Sequence, residues 1–370
     1  MRIAFISTIL TYPWGGADTL WTSAAEAAVA RGDLVLLVIS KIAASHARVA
    51  ALVELGATLL VRPAPEIPTS FLQRAWHKRP WQASRSEVLA AGVRAFEPDL
   101  LVFSCGGTYD LSVDPEFADL LKARGTPYRV IANFQYEHPA LEEADRQRAR
   151  EILEAADRVF FVSPRNLEIT RLHLQSPLLN ADCVHNPLAP ALSPPWAPPQ
   201  PWSLACVARL DPVKGLDLLL PALGAALGDT PGWQLNIYGR GSQRGYLETC
   251  ARHCELSDRV NFRGFEPDLH QIWAQNHILV SPAVDEGVPM TIPEAMLRGR
   301  AVLATRVGGA TEWIEHRKNG FICPAPTVDL LSDSLREAWS ERLRWQEMGE
   351  AAAISARTHY RPDDFKKLLA

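Results

Sequence analysis

The chain has 370 residues, of which 47% are hydrophobic and 22% charged, and its formal net charge is −4. That length is too great for one ordinary domain and suits two, and the composition is that of a globular protein with a real core. Basic and acidic residues divide evenly about Pro190, so neither half is a basic arm or an acidic tail, which argues against a dedicated nucleic-acid binder, whose footprint is a strong positive excess.

The chain opens on a short apolar run, soon interrupted by Thr8, Thr11 and Trp14-Gly15-Gly16. The run is too short for the apolar region of a secretion signal, and no stretch approaches the ~20 apolar residues of a membrane span. Strands are predicted at Ile3–Ser7, Leu34–Ile39, Thr58–Val61, Leu100–Phe103, Arg129–Ile131 and Val159–Val162, with helical patterns such as Thr19–Ala30 and Glu142–Ala156 between them. Short apolar runs alternating with helices are the pattern of βαβ units around a parallel sheet.

Six prolines (Pro190, Pro194, Pro195, Pro198, Pro199 and Pro201) then fall within twelve residues. Proline lacks the N–H donor and fixes φ, so this segment reads as a semi-rigid linker. The alternation restarts with strands at Ser203–Ala208, Gln234–Tyr238, Val260–Phe262, Ile278–Ser281 and Ala301–Thr305. Helices are predicted over Gly215–Leu227, Tyr246–Cys254, Leu269–Asn276 and Ile292–Arg298, and a last helical pattern runs from Pro326 to Ala370 with a break at Arg361-Pro362. The expected organisation is a first Rossmann-like domain at 1–188, a linker at 189–201, a second at 202–355, and a C-terminal helix at 356–370 that crosses back to the first. In doubly wound sheets ligands bind beyond the carboxyl ends of the strands, which for two facing halves means the cleft between them.

Cys105, Cys183, Cys206, Cys250, Cys254 and Cys323 are scattered, with no Cys-x-x-Cys pair. They read as reduced thiols, and the expected compartment is the cytoplasm. Cys250, His253 and Cys254 share one helix but have no distant partner to complete a tetrahedral zinc site, so packing is the better reading.

Three segments could carry chemistry. In Asp285-Glu286-Gly287-Val288-Pro289-Met290-Thr291-Ile292-Pro293-Glu294, a strand feeds a loop and the loop feeds a helix near Thr291. Unpaired N–H groups at a helix start favour an anion, and carboxylates beside it accept hydrogen bonds from vicinal hydroxyls. Either Glu alone would read as an ordinary surface residue; the whole segment does not. In Arg209-Leu-Asp-Pro-Val-Lys214-Gly215, a planar fork of donors and a compact point charge stand five apart at a strand's carboxyl end, a sensible pair for a diphosphate. Trp14-Gly15-Gly16-Ala17-Asp18 lets a ligand approach the backbone closely, although the dinucleotide fingerprint Gly-x-Gly-x-x-Gly is absent there. Tyr238-Gly239-Arg240-Gly241 is a similar loop in the second half.

Arg209–Gly215, Gly239–Gly241, Val260–Gly264 and Glu286-x7-Glu294, with Val307-Gly308-Gly309-Ala310-Thr311-Glu312 and Asn319-Gly320-Phe321, resemble the retaining family 4 glycosyltransferases of the GT-B fold. Gly15-Gly16 and Ala156–Ser163 extend the likeness over nearly the whole chain, densely in the second half and diffusely in the first. The resemblance implies an α/β fold of two doubly wound domains facing across a cleft, the first binding an acceptor and the second a nucleotide sugar. It implies that Arg209 and Lys214 hold the donor diphosphate, that Glu294 takes the ribose hydroxyls, and that Glu286 lies against the transferred sugar. Backbone amides near Met290 and Thr291 would meet phosphate oxygens, Gly264 would lie near the base, and Gly15 and Gly16 would line the opposite wall. His138, in Asn133-Phe-Gln-Tyr-Glu137-His138-Pro139, stands where family members often place a histidine at the donor sugar, and reads equally as an exposed loop residue. Asp18 departs from the family's usual Glu, and Asp285 from the residue types common before the first Glu.

There is no Asp-x-Asp, so basic side chains and a helix terminus would do the electrostatic work of a metal. The expected enzyme needs no metal or other cofactor and transfers a sugar with retention to a glycan, lipid-linked or small-molecule acceptor. Two alternatives stand beside it: another enzyme of the same scaffold, such as a nucleotide-sugar epimerase or a phosphorylase, and a non-catalytic sugar-nucleotide or glycan binder. Arg74-Ala-Trp76-His77-Lys78-Arg79-Pro80-Trp81, with Arg85, is the one basic-aromatic cluster. It suits either weak contact with the inner face of a membrane or a solvated loop with inward tryptophans.

Overall fold

A computed structural model of the chain describes residues 1–10, 14–62, 83–114, 117, 120–121, 125–135, 141–189, 192–196 and 201–370. These residues fall into two compact units, Met1–Pro187 with Arg361–Ala370, and Leu188–Tyr360.

Among its described residues the first unit has seven strands: β1 (Arg2–Ser7), β2 (Leu34–Ser40), β3 (Thr58–Arg62), β4 (Leu100–Cys105), β5 (Tyr128–Ala132), β6 (Arg158–Phe161) and β7 (Ala181–Cys183). They form one sheet in the order β3-β2-β1-β4-β5-β6-β7, parallel throughout. The strands read as continuous apolar runs because both faces are covered. Along β1, Ala4 and Ile6 point into one cluster with Leu89, Val93, Ala149 and Leu153, while Ile3 and Phe5 point into another with Leu20, Trp21, Ala24 and Leu368.

The second unit has β8 (Trp202–Val207), β9 (Trp233–Tyr238), β10 (Val260–Gly264), β11 (Ile278–Ser281), β12 (Ala301–Thr305) and β13 (Gly320–Cys323), in the order β10-β9-β8-β11-β12-β13 and again parallel. Helices Leu216–Leu227, Arg244–His253 and Val328–Ser340 close one face; Leu269–Gln275, Thr291–Leu297, Ala310–Trp313 and Trp345–His359 close the other.

Every strand expected from the sequence is present within a residue or two. The two edge strands β7 and β13 were not expected: at three and four residues they are too short to show periodicity. The helix Pro164–Leu174 was also unexpected, although it carries a start signal, Ser163 accepting the Asn166 N–H at 3.1 Å with proline at the first position. The pattern from Pro326 to Ala370 is not one helix. It breaks into Val328–Ser340, a 3₁₀ turn Arg342–Arg344, Trp345–His359 and a 3₁₀ segment Asp364–Leu368.

Those last residues complete the first unit. Leu368 is fully buried, its carbonyl accepts from Arg129 Nη1 at 2.9 Å, and Asp364 accepts the His185 N–H at 2.9 Å. Of the proline-rich stretch, Pro195 and Trp196 pack on the second unit. Arg300, 2% exposed, donates to the carbonyls of Trp273, Asn276 and Pro195 and lies 5.0 Å from the Trp196 ring centroid. Burial lowers the pKa of this guanidinium to about 10, and the backbone carbonyls accept its hydrogen bonds.

Candidate active site

In a doubly wound sheet the chain reverses its direction of strand addition at one place, and the loops leaving the two strands there diverge to open a crevice. In the second unit that place lies between β8 and β11, which pair directly through Ile278↔Leu204 and Leu279↔Ala205. The loop after β8 carries Arg209 and Lys214; the loop after β11 carries Asp285, Glu286 and Met290. Residues far apart in sequence thereby share one edge.

Glycines bring these loops together. Gly215, at φ 67° between the 3₁₀ turn Pro212–Lys214 and the helix Leu216–Leu227, lies so close to the β11 loop that a Cβ would stand 2.0 Å from the Pro282 carbonyl oxygen. The same two loops are bonded by the Val284 N–H to the Val213 carbonyl at 2.8 Å. Gly239, at φ 147°, presses against Ala208 and donates to the Gly264 carbonyl at 2.7 Å. Gly308, at φ 46°, packs against the Glu286 and Gly287 carbonyls, and the Gly309 N–H bonds to Gly287 at 2.8 Å. No residue with a Cβ fits such approaches without backbone movement.

Lys214 Nζ is bonded to Glu286 Oε1, and each side chain is 16% exposed. Arg209 is more open, 40% exposed, with its Nε 3.3 Å from Asp211 Oδ2. The two cations expected at a diphosphate thus each stand against a carboxylate of their own unit. Asp211 was not singled out in the sequence; its signal was its position two residues after the arginine.

Glu294 lies in the first turn of the short helix Thr291–Leu297, whose Met290 and Thr291 are half-buried at its start. The Glu294 N–H bonds to the Met290 carbonyl at 3.2 Å, and Ile292 to Pro289 at 2.9 Å. Desolvation pushes the Glu294 carboxyl up to about 7, against a smaller opposing pull from Arg298. A carboxylate partly withdrawn from water beside a helix start is suited to accept hydrogen bonds from hydroxyls. Gly264 ends β10 at φ 76°; beside it Arg263 Nε donates to Asn236 Oδ1 at 3.1 Å, and Phe265 is exposed.

In the first unit the corresponding reversal lies between β1 and β4. Gly15 caps the helix Gly16–Ala30, and buried Asp18 accepts the Gly15 N–H at 3.0 Å and the Trp21 indole N–H at 3.2 Å. Asp18 therefore holds the helix start from inside. The loop after β4 was not expected to matter. Asp110 Oδ2 accepts the Thr8 hydroxyl at 2.5 Å and the Gly107 N–H at 3.0 Å, while Thr8 Oγ1 accepts the Gly106 N–H at 2.8 Å. Its sequence signal was Gly106-Gly107 directly after a strand. His138 and the basic-aromatic run 74–81 lie outside the described residues.

Cys250 and Cys254 pack against the second unit's core, and among the described residues no three His, Cys, Asp or Glu side chains gather as metal ligands would. Among these residues no helix is long and apolar enough to cross a membrane.

Residues 195–354 match the family model described as "Glycosyl transferases group 1". Among curated relatives, an exopolysaccharide phosphotransferase of Streptomyces coelicolor is 31% identical over 146 residues, 39% of this chain and 16% of that protein. A GDP-mannose-dependent alpha-(1-6)-phosphatidylinositol monomannoside mannosyltransferase of Mycobacterium tuberculosis is 29% identical over 177 residues, 45% of this chain and 46% of its own. The chain thus spans less than half the length of these relatives. Solved structures match from end to end: Anabaena HepE with UDP at 18% identity and TM-score 0.72, and the lipopolysaccharide outer core galactosyltransferase WaaB at 19% and 0.71, each covering 100% of this chain and 98% of the other. The chain has the GT-B fold of glycosyltransferases, and its second unit carries the segment that matches the group 1 family.

Proposed function

We propose that this protein is a retaining, metal-independent glycosyltransferase that moves a sugar from a nucleoside diphosphate donor to an acceptor hydroxyl in glycan biosynthesis. The observation that carries this reading is the meeting of the β8 and β11 loops, which puts Lys214 and Glu286 in contact at the carboxyl edge of the second sheet, inside the family-matched segment. Neighbouring structures with bound UDP and a relative named for GDP-mannose support a nucleoside diphosphate as the common donor part.

In this reading Arg209 and Lys214 hold the diphosphate, Glu294 accepts the ribose hydroxyls, and backbone at Met290 and Thr291 meets phosphate oxygen. Glu286 lies against the sugar. The bond from the anomeric carbon to the phosphate oxygen breaks as a bond to the acceptor oxygen forms on the same face. The acceptor's proton passes to the departing phosphate oxygen. Negative charge builds on that phosphate in the transition state, so Arg209 and Lys214 act where charge develops and no metal is needed. The acceptor is a glycan, a lipid-linked sugar or a small molecule, and the protein works in the cytoplasm or against the inner face of a membrane.

The test is calorimetric titration of the purified protein with UDP, GDP, ADP and dTDP without added metal, repeated on Glu294→Ala. One nucleotide should bind, and the variant should lose it. Absence of binding to all four, with or without magnesium, would overturn the glycosyltransferase reading in favour of a glycan-binding protein.

A further inference from the structure

On that functional reading, Lys214 and Glu286 have different tasks: one holds phosphate and the other holds sugar. Yet in the structure they hold each other. An ammonium bonded to a resident carboxylate is a poorer partner for an incoming anion, because the phosphate must displace that carboxylate. We propose that Glu286 is an exchangeable counter-ion of Lys214: the donor's diphosphate takes the lysine, the sugar's hydroxyls take the released glutamate, and loss of the sugar lets Glu286 return and weaken the hold on the product nucleotide.

The surrounding backbone fits a swap made by side chains alone. The Lys214 loop is pinned by the Lys214 N–H to Asp211 carbonyl bond at 3.0 Å and by the packing of Gly215 on Pro282. The Glu286 loop is pinned by Val284 to Val213 at 2.8 Å and by Gly308 and Gly309 against Glu286 and Gly287. With both backbones held, only the flexible ends have to turn. Lysine's four-carbon stem and the two rotatable methylenes of glutamate allow that without moving either loop.

The complete nucleotide sugar gives both freed groups a partner. The bare nucleoside diphosphate satisfies Lys214 and leaves Glu286 a carboxylate beside phosphate, with its former cation taken. Glu286 therefore makes the site prefer donor to product. The Arg209–Asp211 contact is longer and more exposed, so the same competition is weaker there.

The test is a double-mutant cycle on binding of whichever of UDP, GDP, ADP or dTDP the wild-type protein takes. The variants are Glu286→Gln, Lys214→Met and the double substitution, with Glu286→Ala as a second removal of the carboxylate and thermal melting to verify each fold. Glu286→Gln and Glu286→Ala should each tighten the nucleoside diphosphate by about three- to tenfold, and the gain should vanish in the Lys214→Met background. Unchanged or weaker binding in both Glu286 variants would overturn the exchange. So would a gain that persists without Lys214, since that is plain removal of a repelling charge. If wild type binds none of the four nucleotides, the functional reading itself falls and the exchange with it, an outcome distinct from the other two.

Discussion

The two sheets share one wiring plan and differ in what stands at their carboxyl edges. Among the described residues of the first, neutral groups bond to one another: Asn133 Nδ2 donates to Ser104 Oγ at 3.2 Å and to the Cys105 carbonyl at 2.9 Å, and Thr108 Oγ1 donates to the Phe134 carbonyl at 2.8 Å. Among the described residues there, Arg62 at the end of β3 is 2% exposed and donates to the Ser7 carbonyl at 2.5 Å, with Asp114 at 3.9 Å. At the second edge, Arg209, Lys214, Asp211, Glu286 and Glu294 gather on loops that glycines hold together. A buried cation bonded to backbone carbonyls is held in place, whereas a partly exposed cation paired with a side-chain carboxylate can change partner by side-chain rotation. Among the described residues the same scaffold thus carries a backbone-bonded arginine at one edge and cations paired with carboxylates at the other.

This contrast is most directly broken at Lys214. Lys214→Ala should leave the fold intact while turnover falls about 10²–10³-fold, more than nucleotide binding weakens, because the lost charge acts chiefly in the transition state. Near-normal turnover in a steady-state assay would remove its role.

Gly215 tests whether close packing of loops, rather than charge alone, makes the edge. Gly215→Ala places a Cβ against the Pro282 carbonyl at a φ of 67°, so denaturant melts should show a loss of about 2–4 kcal/mol. Gly264→Ala is the sharper control. Its φ is also positive, at 76°, but open space lies around it, so backbone strain alone should remove about 1 kcal/mol. Equal losses would show that the approach of Gly215 to Pro282 does not matter.

Glu294 provides a pH signature. Its carboxyl is raised in the fold, to about 7 from an ordinary 4.5, so the folded protein retains a proton that the unfolded chain releases. Its contribution to stability therefore falls as pH rises from about 4.5 to 7 and is level above that. Glu294→Gln should melt higher than wild type above pH 7, with the difference shrinking toward pH 4.5. Nucleotide affinity should move oppositely, rising through pH 7 in wild type relative to the variant, since the ionised carboxylate is the better acceptor for ribose hydroxyls. A pH-independent difference would place Glu294 away from the ribose.

The smallest effect is expected in the first unit. Asp18→Ala removes the acceptor of the Gly15 and Trp21 N–H groups and should lower stability by about 1–2 kcal/mol, leaving calorimetric nucleotide affinity near wild type. A large loss of nucleotide binding would show that the first helix start also serves the donor.

Much of this was legible without coordinates. The runs Ile278–Ser281 and Ala301–Thr305 are strands to the residue, because apolar runs of strand length bounded by polar turns admit little else. Arg209, Lys214, Glu286 and Glu294 stand out in the sequence by spacing and resemblance, and the structure brings two of them, Lys214 and Glu286, into contact. The short edge strands and the Asp110 loop were not, since three or four residues carry no period and a carboxylate that folds back on its own turn looks like any surface aspartate.

What the sequence by itself determined is the alternation of strand and helix, the two sheets, and the residue types waiting at the strand ends. Tertiary structure alone decided that β11 returns to lie beside β8 rather than beyond β10. That choice depends on which side of the sheet each crossover packs, a matter of whole-face burial rather than local propensity. Through it, Lys214 and Glu286, 72 residues apart, become partners, and the Glu294 carboxyl loses enough water to titrate near neutrality.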